Sequence, residues 1–283
     1  MADIRQIDRR RKSVKSIAKI THAMEMIAAS KMKKAQDRGV AGRPYAEKIT
    51  EVIASLAALY PKGRAHPLLD VRPVNKICIV HITPNRGLCG GLVGNINRKS
   101  LAFERSLGKD ATYITIGKKG MDTMRRTSRN VKADFVLGDS PSFLETLPVT
   151  RLAIEGFIGG EFDEVYVAYT KFVNTMVQEP VLARLLPVEP AERAVGTNLE
   201  YIYEPSAAAV LDKLLPRYAE SRIYQTILES IASEFSARMI AMKNATENAK
   251  EIVDELGLQY NKARQESITT EMLDIIGGAS ALA

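Results

Sequence analysis

ILESIASEFSARMIAMKNATENAKEIVDELGLQYNKARQESITTEMLDII, residues 227–276, is the stretch that decides the fold of this chain. It lies in a longer run, 206–280, where Pro216 is the one proline and Gly257 the one glycine before Gly277. A helical stripe of apolar residues runs along it: Ile223, Ile227, Ile231, Met242, Ile252, Leu256, Met272 and Ile276. Such a helix would be roughly 110 Å long, whereas a compact chain of this length has a radius of gyration of about 19 Å. We therefore expect a protruding helix.

The first segment of the chain has the same kind of pattern. Over residues 3–38 the apolar positions fall on one helical face, with Asp3 as the N-cap: Ile4, Ile7, Val14, Ile17, Ile20, Met24, Ile27, Ala28 and Met32. Glycines and Pro44 interrupt this pattern, and apolar spacing then resumes up to Leu59. The sequence predicts one kinked helix, or two helices in series, ending before Pro61.

An apolar stripe on a protruding helix needs a partner, because it would otherwise face water. The first segment is the obvious candidate, since both segments flank the same middle region. Antiparallel pairing of the two is one solution, and pairing with a helix of another chain is the other. Neither stripe keeps a strict heptad, so a long regular left-handed coiled coil is not expected.

The middle of the chain alternates strand-like and helix-like segments. Strands are predicted at 75–83, 111–117, 130–138 and 163–173, and helices near 91–107, 118–126 and 142–159. This alternation predicts right-handed crossovers and a mainly parallel sheet. The predicted domains are a discontinuous helical shaft, 1–60 with 206–283, and an α/β domain, 74–200, after a linker at 61–73.

Composition and charge narrow the functional class. Of 283 residues, 46% are hydrophobic and 26% charged, and no apolar run approaches the ~20 residues that cross a bilayer. The two cysteines predict neither a disulfide framework nor a zinc knot. Residues 1–59 hold 13 Lys or Arg against 6 Asp or Glu, which equals the whole net charge of +7. That excess indicates a solvated helix face, an acidic partner surface or nucleic acid.

No pattern typical of a hydrolase, a kinase or a metal site is present. The three histidines are scattered, and none belongs to HExxH or lies beside cysteine at ligand spacing. The loop NRGLCGGLVGNIN, 85–97, places Cys89, Gly91 and Gly94 where a dinucleotide fingerprint has three glycines, and a cysteine spoils the first turn. Two rival functions stay open: a nucleotide-binding enzyme built on this loop, and a coiled-coil nucleic-acid-binding or scaffold protein built on RRRK at 9–12.

Six segments together resemble the gamma subunit of the rotary, F-type ATP synthase. They are KITHAMEMIAASKMKKAQ (19–36), RGLCGG (86–91), KFVNTM (171–176), YIYEP (201–205), SARMIAMKNATENA (236–249) and YNKARQESITTEMLDIIGGA (260–279). The resemblance runs nearly end to end. It implies an α/β plus coiled-coil fold, in which long N- and C-terminal helices pair antiparallel around an inserted Rossmann-like α/β domain.

The resemblance also implies a function and partners. The chain would be the central-stalk rotor subunit that couples rotation of the membrane c ring to conformational change in a ring of three alpha and three beta subunits. It would also bind the epsilon subunit, contain no catalytic site, metal or cofactor, and bind no nucleic acid. It would not span the membrane itself, and would be peripheral on the cytoplasmic face of a bacterial inner membrane.

Particular residues match the family's contact positions. The resemblance assigns to the alpha–beta ring Met24, Arg238, Arg264, Gln265, Thr269, Ile275 and Ile276. It assigns to the c ring Tyr201, Tyr203 and Glu204. Arg264 could donate in a fork to a partner carboxylate. The uncharged end from Ile275 to Ala283 would sit in an apolar socket.

Overall fold

The computed structural model describes residues 2–57, 66–189 and 203–282. Its elements, in chain order, are the helix α1 (Ala2–Ala57), a 3₁₀ turn (Pro67–Leu69), strand β1 (Lys76–Ile82), α2 (Leu92–Leu107), β2 (Asp110–Ile116), α3 (Lys118–Arg126), β3 (Asn130–Phe135), α4 (Phe143–Ile158), β4 (Glu164–Phe172), β5 (Gln178–Leu186) and α5 (Ala207–Leu282).

The terminal segments are single long helices. α1 has 56 residues and contains Pro44, and α5 has 76 residues and contains Pro216. Of the two predicted alternatives, one kinked helix or two helices in series, the structure has one helix that continues through Gly39 and Gly42. A glycine costs a helix only about 1 kcal/mol and a proline about 3 kcal/mol, which packing along so long a helix can offset.

The middle of the chain folds as a five-stranded mixed sheet in the order β3-β2-β1-β4-β5. The pairs β1–β2, β1–β4 and β2–β3 are parallel, and β4–β5 is antiparallel. The four predicted strands and the mainly parallel sheet are thus confirmed, but β5 was missed. β5 carries Pro180, which reads as a strand breaker, yet β5 is an edge strand, where a missing N–H is tolerated.

The core of this α/β domain surrounds β1, the central strand. Its side chains from Ile77 to Ile82 are all buried. The core cluster contains Ile77, Ile79, Ile96, Tyr113, Met124 and Ala168. β1 is covered on both faces, as expected for a central parallel strand, so it reads as a continuous apolar run.

His81 is the polar exception within this core. Its Nε2 donates to Asn97 Oδ1 over 2.8 Å, and its Nδ1 accepts from the Ser100 hydroxyl over 3.0 Å. Burial lowers the pKa of His81 to about 4, because the interior penalises the charged ring. The histidine is therefore a neutral, fully hydrogen-bonded structural residue.

The chain divides into two compact units. One contains the chain up to Ala28 together with the segment from Arg238 onward, and the other is Ala29–Ala237. The domain limits predicted from sequence, 1–60 with 206–283 and 74–200, stay a prediction. Residues 61–65 of the predicted linker and residues 190–202 lie outside the described residues.

Candidate functional site

The first unit is a pair of antiparallel helices. Thr21 Oγ1 of α1 lies 2.7 Å from Thr246 Oγ1 of α5, and the Arg11 guanidinium lies 4.9 Å from the Tyr260 ring centroid. Moving toward the N-terminus of α1 thus means moving toward the C-terminus of α5. Part of each apolar stripe therefore has its partner within the same chain, whereas the predicted stripe residues Ile17, Ile20 and Ile27 of α1 are exposed.

The residues of α5 that are buried in the seam of this pair lie on one face of the helix. These buried residues recur at helical spacings of three, four and seven: Arg238, Met242, Thr246, Ala249 and Leu256. Beyond Leu256, no described residue of α5 is buried. The predicted stripe residues Met272 and Ile276 are 58% and 59% exposed. The far end of α5 is therefore not covered by the described residues of the chain.

The far end of α5 presents one continuous exposed face. At 100° per residue, its members fall within roughly 140° of the helix circumference. They are the predicted contact residues Arg264, Gln265, Thr269, Ile275 and Ile276 and the apolar residues Ile268 and Met272 between them. All seven are exposed, and the exposed fraction of Ile275 is 72%. A face that changes from polar to apolar along its length suits a partner whose surface changes in the same way.

Local hydrogen bonds show which groups on this face are already used. Thr269 Oγ1 donates to the Gln265 carbonyl over 2.9 Å, and Lys262 Nζ lies 4.0 Å from Glu266. Within the described part of α5, no ion pair involves Arg264. Its guanidinium is exposed, so it can reach a carboxylate on another protein.

The other predicted contact residues lie elsewhere. Met24 is half-buried on α1, and Arg238 is only 9% exposed in the seam. Tyr203 is half-buried and Glu204 exposed, just before α5 begins, and Tyr201 lies outside the described residues. From Arg238 to Ile276 the α5 positions span roughly 57 Å of helix. They therefore form an extended surface, and the structure does not gather them into one pocket.

A basic groove follows the seam of the helix pair. Two adjoining cavities of about 640 and 420 Å³ are lined from α1 by Arg11, Lys12, Lys15, Lys19 and His22, and from α5 by Lys250, Val253, Asp254 and Leu258 among others. Asp8 pairs with Lys12 and Arg11 at 2.7 and 2.8 Å, and the hydrogen bond from Lys12 is the main cause that lowers the Asp8 pKa. Four of the 13 Lys or Arg residues of the first segment thus line this accessible groove.

The α/β domain does not offer an open nucleotide crevice. Open α/β sheets bind ligands outside the carboxyl ends of their strands. Here that edge, at Ile82, Thr83 and Ile116, faces Ile227 and Ile231 of α5 across a cavity of about 30 Å³. A cavity of that size holds about a water molecule. The nucleotide-binding rival therefore has no room at this edge.

The described residues form neither a cluster of metal ligands nor a membrane-spanning helix. No group of three or more His, Cys, Asp or Glu side chains there could hold a metal ion. None of the described helices is long and apolar enough to cross a membrane.

Comparison with known proteins gives the family. A family profile described as ATP synthase matches residues 3–282. A protein of Dehalococcoides mccartyi named ATP synthase gamma chain is 61% identical over 285 residues, which is 100% of each chain. The chain belongs to the ATP synthase gamma-chain family. A gamma chain of a Roseiflexus species is 47% identical and covers 100% of this chain and 99% of its own.

Solved structures agree with this family. A chain from the Tetrahymena thermophila mitochondrial ATP synthase, in a structure of its central stalk and c ring, is 26% identical with a TM-score of 0.61, covering 80% of this chain and 99% of its own. A chain of the Euglena gracilis mitochondrial ATP synthase shares the fold with a TM-score of 0.70 at 19% identity, covering 99% and 95%. The predicted fold class and gamma-chain family are thereby confirmed.

Proposed function

We propose that this chain is the rotating central shaft of a proton-translocating ATP synthase. It transmits rotation of a membrane c ring to the catalytic sites of a ring of three alpha and three beta subunits, in the direction of synthesis or of hydrolysis. The observation that carries the proposal is the full-length 61% identity to a protein named ATP synthase gamma chain. Its partners are the alpha and beta subunits, the c ring and the epsilon subunit.

The helix pair supplies the physical means of coupling. A pair of helices has no rotational symmetry matching a three-fold ring, so each beta subunit meets different side chains at a given moment. Contacts that differ between subunits shift their conformations and affinities by differential binding. The shaft needs no catalytic residue for this, and we propose that it has none of its own.

The exposed face at the end of α5 is the proposed contact with the alpha–beta ring. Arg264 and Gln265 present polar groups to a beta-subunit loop, where the planar guanidinium can bind a carboxylate in a fork. Ile275 and Ile276, both largely exposed, enter an apolar socket. Met24 on α1 and Arg238 on α5 lie farther from the C-terminal end of α5, and we propose that they also contact this ring.

The opposite end of the proposed shaft binds the membrane sector. Tyr203 and Glu204, directly before α5, together with Tyr201, are the proposed contacts with polar loops of the c ring. The proposed division is a shaft, 1–60 with 206–283, and an α/β globular domain, 74–200. The gamma-chain family belongs to a membrane-associated complex, and we place this chain on the cytoplasmic face of a bacterial inner membrane.

The proposal is tested by purifying the native complex through a tag on this chain after gentle detergent extraction. We expect one copy of the chain for each alpha–beta hexamer, together with epsilon and the c ring. Recovery of the chain alone, or bound to nucleic acid and released by salt, would contradict it. Removing residues 275–283 is a second test: the apolar-socket contact predicts weaker retention of the chain by the alpha–beta ring.

A further inference from the structure

The Ala29–Ala237 unit contains the contacts that fix the α/β domain to the terminal helices. They matter because, given the proposed function, torque that enters at the domain must reach the helices. Some of these contacts are apolar and some are directional. The distinction decides which of them can resist twisting.

The apolar contacts lie at the carboxyl ends of β1 and β2. Ile82 of β1 and Ile116 of β2 face Ile227 and Ile231 of α5. Hydrophobic association is non-directional, because it depends on area removed from water and not on angle. This patch resists separation of the domain from α5, but it resists sliding or turning only weakly.

One edge of the sheet is held by directional contacts, which we call the hairpin clamp. On α5, Glu229, Ser233 and Ser236 follow one another at spacings of four and three, so they share one face. The Glu229 carboxylate accepts from the Phe172 backbone N–H, and the buried Ser233 hydroxyl donates to the Thr170 carbonyl over 2.9 Å.

Ser236 completes the hairpin clamp. Its hydroxyl donates to the Thr175 carbonyl over 2.8 Å and accepts from Gln178 Nε2 over 3.3 Å. Ser233 and Ser236 are both fully buried. The clamp thus grips the β4–β5 hairpin at the end of β4, at the turn and at the start of β5. Hydrogen bonds weaken steeply when bent, so these contacts oppose rotation.

The other edge of the sheet is held by what we call the lysine clamp. Lys31 of α1 pairs with Asp139, which follows β3, and its ammonium lies 5.4 Å from the Phe235 ring centroid on α5. One side chain therefore joins α1, α5 and the loop after β3. A charge-assisted hydrogen bond is stronger than a neutral one and also has a preferred geometry.

The two clamps hold different strands of the sheet. In the strand order β3-β2-β1-β4-β5, the lysine clamp follows β3 and the hairpin clamp begins at β4. Two directional contacts on different strands resist turning better than either one alone, because a single contact can act as a pivot.

We propose that the hairpin clamp and the lysine clamp together key the α/β domain to the helices and set the torsional stiffness of the shaft. The apolar patch keeps the domain attached but does not set its angle. This rests on the proposed function, since stiffness matters only if the chain transmits torque.

The experiment uses the alpha–beta ring assembled with this full chain and immobilised on a surface. Lys109, exposed in the turn before β2, is changed to cysteine and carries a bead, while Cys78 and Cys89 are buried and unreactive. The angular variance of the bead is measured while the ring waits for ATP. The angular variance is inversely proportional to the torsional stiffness, so disabling a clamp that supplies about half of the stiffness about doubles the variance from domain twisting.

The hairpin clamp is disabled by Ser233→Ala with Ser236→Ala, and the lysine clamp by Lys31→Met. Matched controls are Ser221→Ala, a buried serine of α5 outside the clamp, and Lys34→Met, an exposed lysine of α1. We expect larger variance in each clamp variant, a larger one still in the combination, and no change in the controls. The ATP hydrolysis rate without load stays at the wild-type value.

Charge exchange separates a specific clamp from general damage. Lys31→Asp raises the variance, and adding Asp139→Lys lowers it again. If the variant Ser233→Ala with Ser236→Ala fails to assemble, the exposed substitution Asp139→Asn provides the test of the proposal. Wild-type variance in Asp139→Asn and Lys31→Met would overturn the lysine clamp, and with it the proposal that both clamps together set the stiffness. A wild-type chain that never rotates in the ring would instead overturn the proposed function.

Discussion

The helix pair and the α/β domain bury their residues in different ways. In the domain, β1 is buried from Ile77 to Ile82 and even its histidine is enclosed and hydrogen-bonded. In the pair, the seam is narrow, and α5 is exposed beyond Leu256. The difference separates stability from the proposed function: the domain uses its side chains to fold, and the pair leaves side chains exposed for the proposed contacts with other proteins.

The same substitution in the two regions should give the largest contrast. Ile79→Ala leaves a cavity in the domain core, where such changes cost about 2–5 kcal/mol of unfolding free energy. Ile275→Ala removes a side chain that is already 72% exposed, so its cost should stay within about 0.5 kcal/mol. Urea unfolding of the two purified variants measures both. Equal losses would show that the regions do not differ in this way.

Low pH should weaken the domain through His81. Its pKa is about 4 when folded and near 6.5 when unfolded, so between these values only the unfolded chain takes up the proton. The His81 contribution is complete above pH 6.5 and is lost as pH falls toward 4, by about 3 kcal/mol in all. Unfolding free energies at several pH values test this. In His81→Gln that part of the slope should vanish, and an unchanged slope would assign it to other groups.

On the exposed face of α5, function should change without stability. Arg264→Ala with Gln265→Ala leaves the unfolding free energy unchanged, because both side chains are exposed. Coupled ATP turnover in the assembled complex should fall roughly fivefold or more, the usual lower range of a coupling energy. The matched control is Glu255→Ala with Gln259→Ala, on the opposite face of the helix. Normal coupling in the first variant would remove both residues from the contact surface.

Glycine-to-alanine changes should have opposite signs in the two regions. An added Cβ at Gly257 of α5 meets no atom within 4 Å, so Gly257→Ala should stabilise the helix by about 0.5–1 kcal/mol. At Gly120 of α3 the added carbon would lie 2.7 Å from the His81 ring and from Thr83 Oγ1, so that variant should be destabilised. Thermal unfolding of both variants gives the signs. A destabilised Gly257→Ala would indicate a neighbour missing from this account.

The sequence predicted the features that depend on periodicity. The apolar stripes predicted both terminal helices, and the strand–helix alternation predicted β1 to β4. β5 was missed because Pro180 argues against a strand, and only sheet topology reveals that the strand lies at an edge. Local helix propensity also could not predict whether α1 continues through Pro44.

The candidate site was predicted from resemblance more than from residue chemistry. Arg264 and Gln265 belong to no catalytic pattern, and nothing in their spacing marks them apart from an ordinary solvated helix face. What the structure adds is their shared exposure with Ile275 and Ile276. The clamps had no sequence signal at all, since Lys31 and Asp139 are 108 residues apart and meet only through the fold.

Rotation itself is the measurement that tests the central claim most directly. The alpha–beta ring is assembled with this chain, fixed to a surface and supplied with ATP, while a bead on Lys109→Cys reports the angle of the chain. The account predicts stepwise rotation in one direction, abolished when ATP is withheld. A ring that hydrolyses ATP equally well while the bound chain stays still would contradict it.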